Sequence, residues 1–298
     1  MKTNEFQLTG LIAGLGAASI WGGMYVVSKV VLDAIPPFTL LTLRLVIGIV
    51  TLFIFFQLSA LIKKEERRKM TSDQVWKIFL VGCVGYGISL GFQFVGTKLS
   101  TASNGSLVTS ATPAFILIFA PILLGEKTTT RRIAALIVSS LGVIAVIDPR
   151  AAELSPDLFW GNLALIAAAL TWALYSVLAR KVSQAVDVIE ATMIMLMGGV
   201  PSGIAFSVWE IATLGVGTIT PGVIGGVLFI AIVSTAFAMF LWNFAFANLP
   251  AAVASLTFFA QPVVGTLLGW FFLGEQITPL FLIGGAMIGI GLVIASRE

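Results

Sequence analysis

From residue 211 to residue 274 the chain carries no charged side chain, a run of 64 residues. A helix crosses a bilayer core of about 30 Å with about 20 predominantly apolar residues. At about 1.5 Å per residue, this run is far too long for one crossing, and Asn248-Leu249-Pro250 supplies the turn that divides it. Further charge-free runs occupy residues 6–28, 78–97, 99–125, 158–179, 191–209 and 276–296. Residues 133–147 form a shorter run, completed if Arg131 and Arg132 snorkel to the interface. Residues 34–62 make one more, interrupted only by Arg44. The pattern predicts an all-α integral membrane protein with ten transmembrane helices.

Composition agrees. Only 10% of the residues are charged and 58% are hydrophobic, against about 25% charged in soluble domains. There is no histidine and one cysteine, Cys83. Zinc sites, histidine-based triads, haem ligation through histidine and disulfide frameworks therefore lack their parts, and no cofactor or metal is expected. The longest polar segment, residues 63–74, leaves no room for a water-soluble catalytic module. Gly91-Phe-Gln-Phe-Val-Gly-Thr-Lys98 has its last two residues in the wrong order for a phosphate loop and lies inside a span. The first span is full length with no small-residue cleavage site, so it reads as a retained helix.

Lysine and arginine set the orientation. An inside N-terminus puts 13 of the 17 basic residues on the cytoplasmic side, leaving Lys29, Lys98 and Arg150 outside and Arg44 in a span. Both termini are then cytoplasmic, in the inner or plasma membrane. The pI of about 9.1 is this topology bias, not a sign of nucleic-acid binding.

The chain also repeats itself. GLIAGLGAASIW (10–21) matches GNLALIAAALTW (161–172), and PAFILIFAPILLGE (113–126) matches PVVGTLLGWFFLGE (262–275). Ser106-Leu107 matches Ser255-Leu256 at the second displacement. This divides the chain into residues 1–150 and 151–298, five spans each. Five is odd, so the second half enters the membrane from the opposite side. Inverted repeats of this kind are shared by many secondary transporters, with the substrate held near the midplane between halves. Glycine pairs four apart, such as Gly199/Gly203 and Gly265/Gly269, fit closely packed helices.

Several stretches together carry a family resemblance: Trp21-Gly-Gly-Met-Tyr-Val-Val-Ser-Lys29, Pro36-Pro37 followed by Arg44-Leu-Val-Ile-Gly48, and the paired Pro113…Gly125-Glu126 and Pro262…Gly274-Glu275. On these the chain resembles the EamA-type ten-span transporters of the drug/metabolite transporter superfamily. The resemblance implies a basket of two inverted five-helix units around a central cavity. It also implies transport of small metabolites, often efflux of amino acids, without fixing the substrate.

Polar groups inside spans are functional candidates by default. Arg44 is foremost: its fork would bind a carboxylate or phosphate or gate the cavity, and the competing role is to cap a carbonyl or pair with a structural acid. Trp21, Tyr25 and Ser28 form one stripe, and Trp172 and Tyr175 match it in the second half. Tyr86 and Gln93 share a face seven residues apart; the repeat sets Thr235 against Tyr86 and Trp242 against Gln93, with Asn243 adjacent. Asn104 and Gln261 complete the set, either orienting a zwitterion or cross-linking helices. Lys29 is expected to pair with Asp33, and Pro113 and Pro262 to break their helices. No Asp or Glu falls at a span centre, which favours facilitated transport or exchange over proton coupling.

The expected activity is export or facilitated exchange of small metabolites such as amino acids by alternating access. The alternatives are a nucleotide-sugar or phosphorylated-metabolite exchanger, a proton-coupled multidrug exporter, and, least favoured, a lipid transferase. The partners are a small-molecule substrate and the bilayer; both halves being fused allows a working monomer and does not forbid a dimer.

Overall fold

The computed structural model describes residues 2–62, 70–125, 129–147, 155–182, 186–248 and 257–296. Every regular element among them is helical. The chain runs through α1 (Lys2–Leu32), α2 (Pro37–Ile62), α3 (Ser72–Leu99), α4 (Ala102–Thr109), α5 (Thr112–Leu124), α6 (Thr130–Ile147), α7 (Pro156–Val182) and α8 (Val188–Thr213). α9 is built from Pro221–Leu228, Phe229–Phe237 and Ala238–Asn248. A 3₁₀ turn, Thr257–Phe259, precedes α10 (Ala260–Leu273), and α11 is Pro279–Ser296.

Among the described residues, six helices are long and apolar enough to cross a membrane: Leu8–Leu32, Pro37–Leu58, Ser72–Leu99, Pro156–Val182, Val188–Thr213 and Pro221–Trp242. Ala260–Leu273 and Pro279–Gly291 are shorter apolar helices. The span expected over 99–125 is in two pieces, with the break expected at Pro113 falling just before it: α3 runs to Leu99, and α4 and α5 part at Ser110-Ala111. Pro113 sits in the first turn of α5, where its missing N–H costs nothing. Pro262 likewise lies in the first turn of α10, just after the 3₁₀ turn. α3 starts before its apolar run because Thr71 and Gln74 form a reciprocal capping box, reinforced by Lys77 and Asp73, 2.6 Å apart.

Helices from the two ends of the chain interleave. α1 packs on α9 and α10, α2 on α8, α3 on α7 and α8, α4 on α10, α5 on α7, and α6 on α11. Glycine makes the closest approaches. A Cβ on Gly265 would overlap the Ser106 side chain, and one on Gly199 would come within 2.6 Å of the Tyr86 backbone. Large apolar side chains such as Phe53, Phe55, Trp209, Trp270 and Phe271 are exposed on the outer surface, the face a bilayer would cover.

One end of the bundle is closed by polar contacts between helix termini. The carboxylate of Glu210, buried near the end of α8, accepts from the N–H groups of Phe38 (3.0 Å) and Thr39 (2.8 Å) and from the Thr39 hydroxyl (3.1 Å). Glu275 does the same for α4, accepting from Ala102 N–H at 2.6 Å, Ser103 N–H at 2.8 Å and the Ser103 hydroxyl. Each carboxylate fills the orphan donors of a first helical turn and complements its positive dipole end. Lys29 departs from expectation: no ion pair joins it to Asp33, and its ammonium donates to the carbonyls of Thr97 (3.2 Å), Lys98 (2.7 Å) and Ser100 (2.5 Å). The free carbonyls at the end of α3 outcompete an exposed carboxylate, since they have no other partner. Glu210→Ala should lower the thermal unfolding midpoint in detergent by the equivalent of about 1–2 kcal/mol. Glu210→Gln should lose less, and an unchanged midpoint for both would show the cap to be idle.

Candidate functional site

Below the closed end lies a small cavity of about 40 Å³. Its wall includes Trp21, Tyr25, Arg44, Gln93, Trp172 and Gln261, six of the residues singled out from sequence. They come from α1, α2, α3, α7 and α10, and the interleaved packing brings them together. Met24, Ser89, Thr109, Thr112, Met239 and Phe258 also line it and were missed. Met24 lies one helical turn from Trp21 on the same stripe, and Thr109 and Thr112 flank the break before Pro113. Those two signals were in the sequence; nothing comparable marked Met239 or Phe258.

Arg44 is 1% exposed. Its Nε donates to the Thr235 hydroxyl at 2.6 Å, and that hydroxyl donates to the Ile230 carbonyl at 2.8 Å. The guanidinium carbon lies 5.5 Å from the centre of the Phe94 ring, within reach of a cation–π contact. Nη1 has no hydrogen-bond partner, and among the described residues no acid is paired with Arg44. Thr235 belongs to Phe229–Phe237, a π-helical stretch of α9. A second π-helical stretch, Cys83–Ser89 in α3, holds Tyr86. Such bulges widen a helix locally and recur at functional sites; here both repeat-related positions fall in one.

Another part of the wall is a hydrogen-bond network. Thr109 donates to the Gly105 carbonyl at 2.6 Å and accepts from Gln261 Nε2 at 2.9 Å. The Tyr25 hydroxyl, 2.7 Å away, therefore serves as donor to the remaining lone pair of Thr109. Gln261 also donates to the Ser106 carbonyl at 3.0 Å. This network ties α1 and α10 to the break between α4 and α5, giving the break's unpaired backbone region side-chain partners.

The aromatic candidates divide into lining and support. Trp21 donates its indole N–H to the Ser234 carbonyl at 2.9 Å. Trp242 packs behind it, with ring centroids 5.3 Å apart, and meets Phe258 at 4.7 Å. Trp242 is thus a buttress and does not line the cavity. Tyr86 and Tyr175 stand behind Trp172, at centroid distances of 5.8 and 4.6 Å. The Tyr175 hydroxyl donates to that of Tyr86 at 3.2 Å, and Tyr86 donates to the Met239 sulfur at 3.5 Å. Asn104 is away from the cavity: its amide donates to Asn162 Oδ1 at 3.2 Å near the closed end, a link between α4 and α7. Ser28 is buried and also lies outside the cavity lining. The side chain of Asn243 lies outside the described residues, as do Glu126 and Leu249-Pro250.

Chemically, the cavity presents one fixed cation with an open donor, aromatic faces and neutral hydroxyl and amide groups. No acid lines it among the described residues, and these contain no cluster of His, Cys, Asp or Glu able to hold a metal.

Comparison with known proteins agrees with this architecture. The EamA-like transporter family matches residues 8–147 and 159–297. The chain is 27% identical to the uncharacterized transporter YoaV of Bacillus subtilis (strain 168), covering 92% of this chain and 91% of that one. It is also 27% identical to the uncharacterized transporter YyaM of the same organism, covering 95% and 92%. A solved crystal structure superposes with a TM-score of 0.65 at 21% identity, covering 96% of both chains, a likeness of fold.

Proposed function

We propose that this chain, which belongs to the EamA-like transporter family and is a multi-pass integral membrane protein, is a secondary transporter that carries small carboxylate-bearing metabolites through the Arg44 cavity by alternating access. Amino acids are the reference class, and export is the proposed direction. The observation that carries this reading is a buried guanidinium with an unpartnered Nη1 on a cavity wall. A buried cation without a protein counter-ion is costly, and a substrate anion would offset that cost.

Ten crossings in two inverted halves, residues 1–150 and 151–298, belong to the same proposal, with both termini cytoplasmic. Its support is reciprocity. α1 meets α9 and α10 as α7 meets α3 and α5, and α2 pairs with α8 as α6 pairs with α11, the pattern expected when each half packs on its inverted copy. The phosphorylated-metabolite alternative wants several cations in the cavity. Lys29 is occupied by three carbonyls, so Arg44 stands alone and that reading is weaker.

Counterflow in proteoliposomes tests the proposal, with a panel of amino acids, nucleotide sugars and hydrophobic cations and with or without a pH gradient. Accumulation of a carboxylate that ignores the gradient is expected. Accumulation only with the gradient would favour a proton-coupled exporter, and preference for nucleotide sugars the exchanger. Trp21→Ala or Trp172→Ala should shift the order of preference among apolar side chains severalfold, because each removes an aromatic wall. Unchanged preference in both would remove them from the site.

A further inference from the structure

Charge in the cavity is unbalanced, and the imbalance bears on which carboxylates fit. On the positive side stand Arg44 and its open Nη1. On the negative side the described lining offers no carboxylate. Part of the neutral acceptor capacity is spent. Thr109 has both lone pairs and its proton engaged, the Ala168 carbonyl accepts from Ser89 at 2.8 Å, and the Trp21 indole is a donor only. The amide oxygens of Gln93 and Gln261 are left as acceptors, with lone pairs of the Ser89 and Thr112 hydroxyls, which donate to carbonyls. The ammonium of a zwitterion brings three donors and a full charge; neutral oxygens can accept its protons, but none supplies the negative charge that would offset a second cation placed beside Arg44. A substrate with an anionic head and an apolar or aromatic body meets no such deficit: the head faces Arg44, and the body lies between Trp21, Trp172 and Phe258.

We infer that the Arg44 cavity selects net monoanions with an apolar or aromatic body over the zwitterions of the same shape. This rests on the transport reading above and, within its carboxylate class, replaces the amino-acid zwitterions as reference by carboxylates that carry no ammonium. A physical consequence concerns direction. Arg44 is fixed in the protein, so each turnover of a uniporter moves one net negative charge across the bilayer. An inside-negative potential of about 100 mV then holds an outward gradient of about fiftyfold at equilibrium, so export needs no second ion.

The test uses three probes that share one phenylethyl body: 2-phenylethanesulfonate (anion, and too strong an acid to leak as the neutral form), phenylalanine (zwitterion) and phenethylamine (cation). Binding to the full-length protein in detergent is read by tryptophan fluorescence and by the thermal midpoint. Flux is read by counterflow in proteoliposomes under a potassium–valinomycin clamp. The expected result is sulfonate binding at least about tenfold tighter than phenylalanine, no saturable phenethylamine binding, and accumulation of sulfonate on the positive side. Phenylalanine bound or moved as well as the sulfonate would overturn the inference while the transport reading stands. Binding of no probe would overturn it too, and the metabolite panel then judges the transport reading separately. Accumulation of sulfonate that ignores the clamp would overturn the uniport consequence. The comparison uses the wild-type chain, so no variant's folding enters it.

Discussion

Arg44→Gln is expected to cut substrate counterflow by at least about a hundredfold while the folded yield and thermal midpoint stay near those of the parent. Removing one partner of a buried, hydrogen-bonded charge pair costs about 3–5 kcal/mol, and about 1.4 kcal/mol is a factor of ten. In the empty protein the balance runs the other way. Arg44 is 1% exposed with Nη1 unpartnered, so the resting fold carries the desolvation cost of an unmatched cation. Glutamine keeps an amide within reach of Thr235 and sheds that cost, so stability should hold or rise. Loss of function with stability intact is the signature of a group kept for its ligand. Near-normal counterflow in Arg44→Gln would sink the binding role. Collapse of the fold in both Arg44→Gln and Arg44→Lys would instead make Arg44 a structural strut that holds α2 to α9 through Thr235.

Gly198→Leu should abolish recovery of folded protein, and Gly198→Ala should already lower the thermal midpoint. Helix propensity alone points the opposite way, since alanine is better than glycine by about 1 kcal/mol in a helix interior. Packing decides the sign. A Cβ at Gly198 would overlap the Phe79 carbonyl and lie 2.7 Å from Cys83 N and 2.8 Å from the Gly82 carbonyl carbon. These are backbone atoms, which cannot swing aside as a flexible side chain would. Gly82, facing Met195, and Gly199, facing Tyr86, extend the same line of contact between α3 and α8. Overpacking a tight interior costs about 1–3 kcal/mol, enough to outweigh the propensity gain for alanine, and leucine adds three more carbons. Gly225 is the control, exposed on α9 with nothing within 4 Å of its Cβ position. Gly225→Ala should hold or raise the midpoint. Equal effects at the two positions would show that propensity, not the α3–α8 approach, governs these glycines.

Much of the candidate cavity was readable because one-dimensional spacing survives into a helix. Trp21 and Tyr25 lie four apart on one face, and both reach the cavity. Trp172, placed opposite Trp21 by the repeat, does so as well. Arg44 stood out because a lone cation in a span has few reasons to be there. Spacing failed where a neighbouring helix determines what a side chain meets. Trp242 is set against Gln93 by the repeat, yet it ends behind Trp21 as a buttress. Asn104 is mid-sequence between two cavity-lining helices, but Asn162 on α7 captures its amide. Lys29 and Asp33 satisfy the i,i+4 rule, and the bare carbonyls at the end of α3 override it.

By itself the sequence determined that the chain lives in a bilayer, which stretches become helices and where the α4–α5 break falls. These follow from the cost of charge in lipid and from the backbone geometry of proline, both local properties of the chain. Only the tertiary structure decided that Arg44 has a hydroxyl for a partner and, among the described residues, no acid, that Glu210 and Glu275 cap helices far away in sequence, and that α3 and α9 widen into π-helical turns at Tyr86 and Thr235. Each of these depends on which backbone groups and side chains from opposite ends of the chain meet, and periodicity along one helix says nothing about what another helix brings to it.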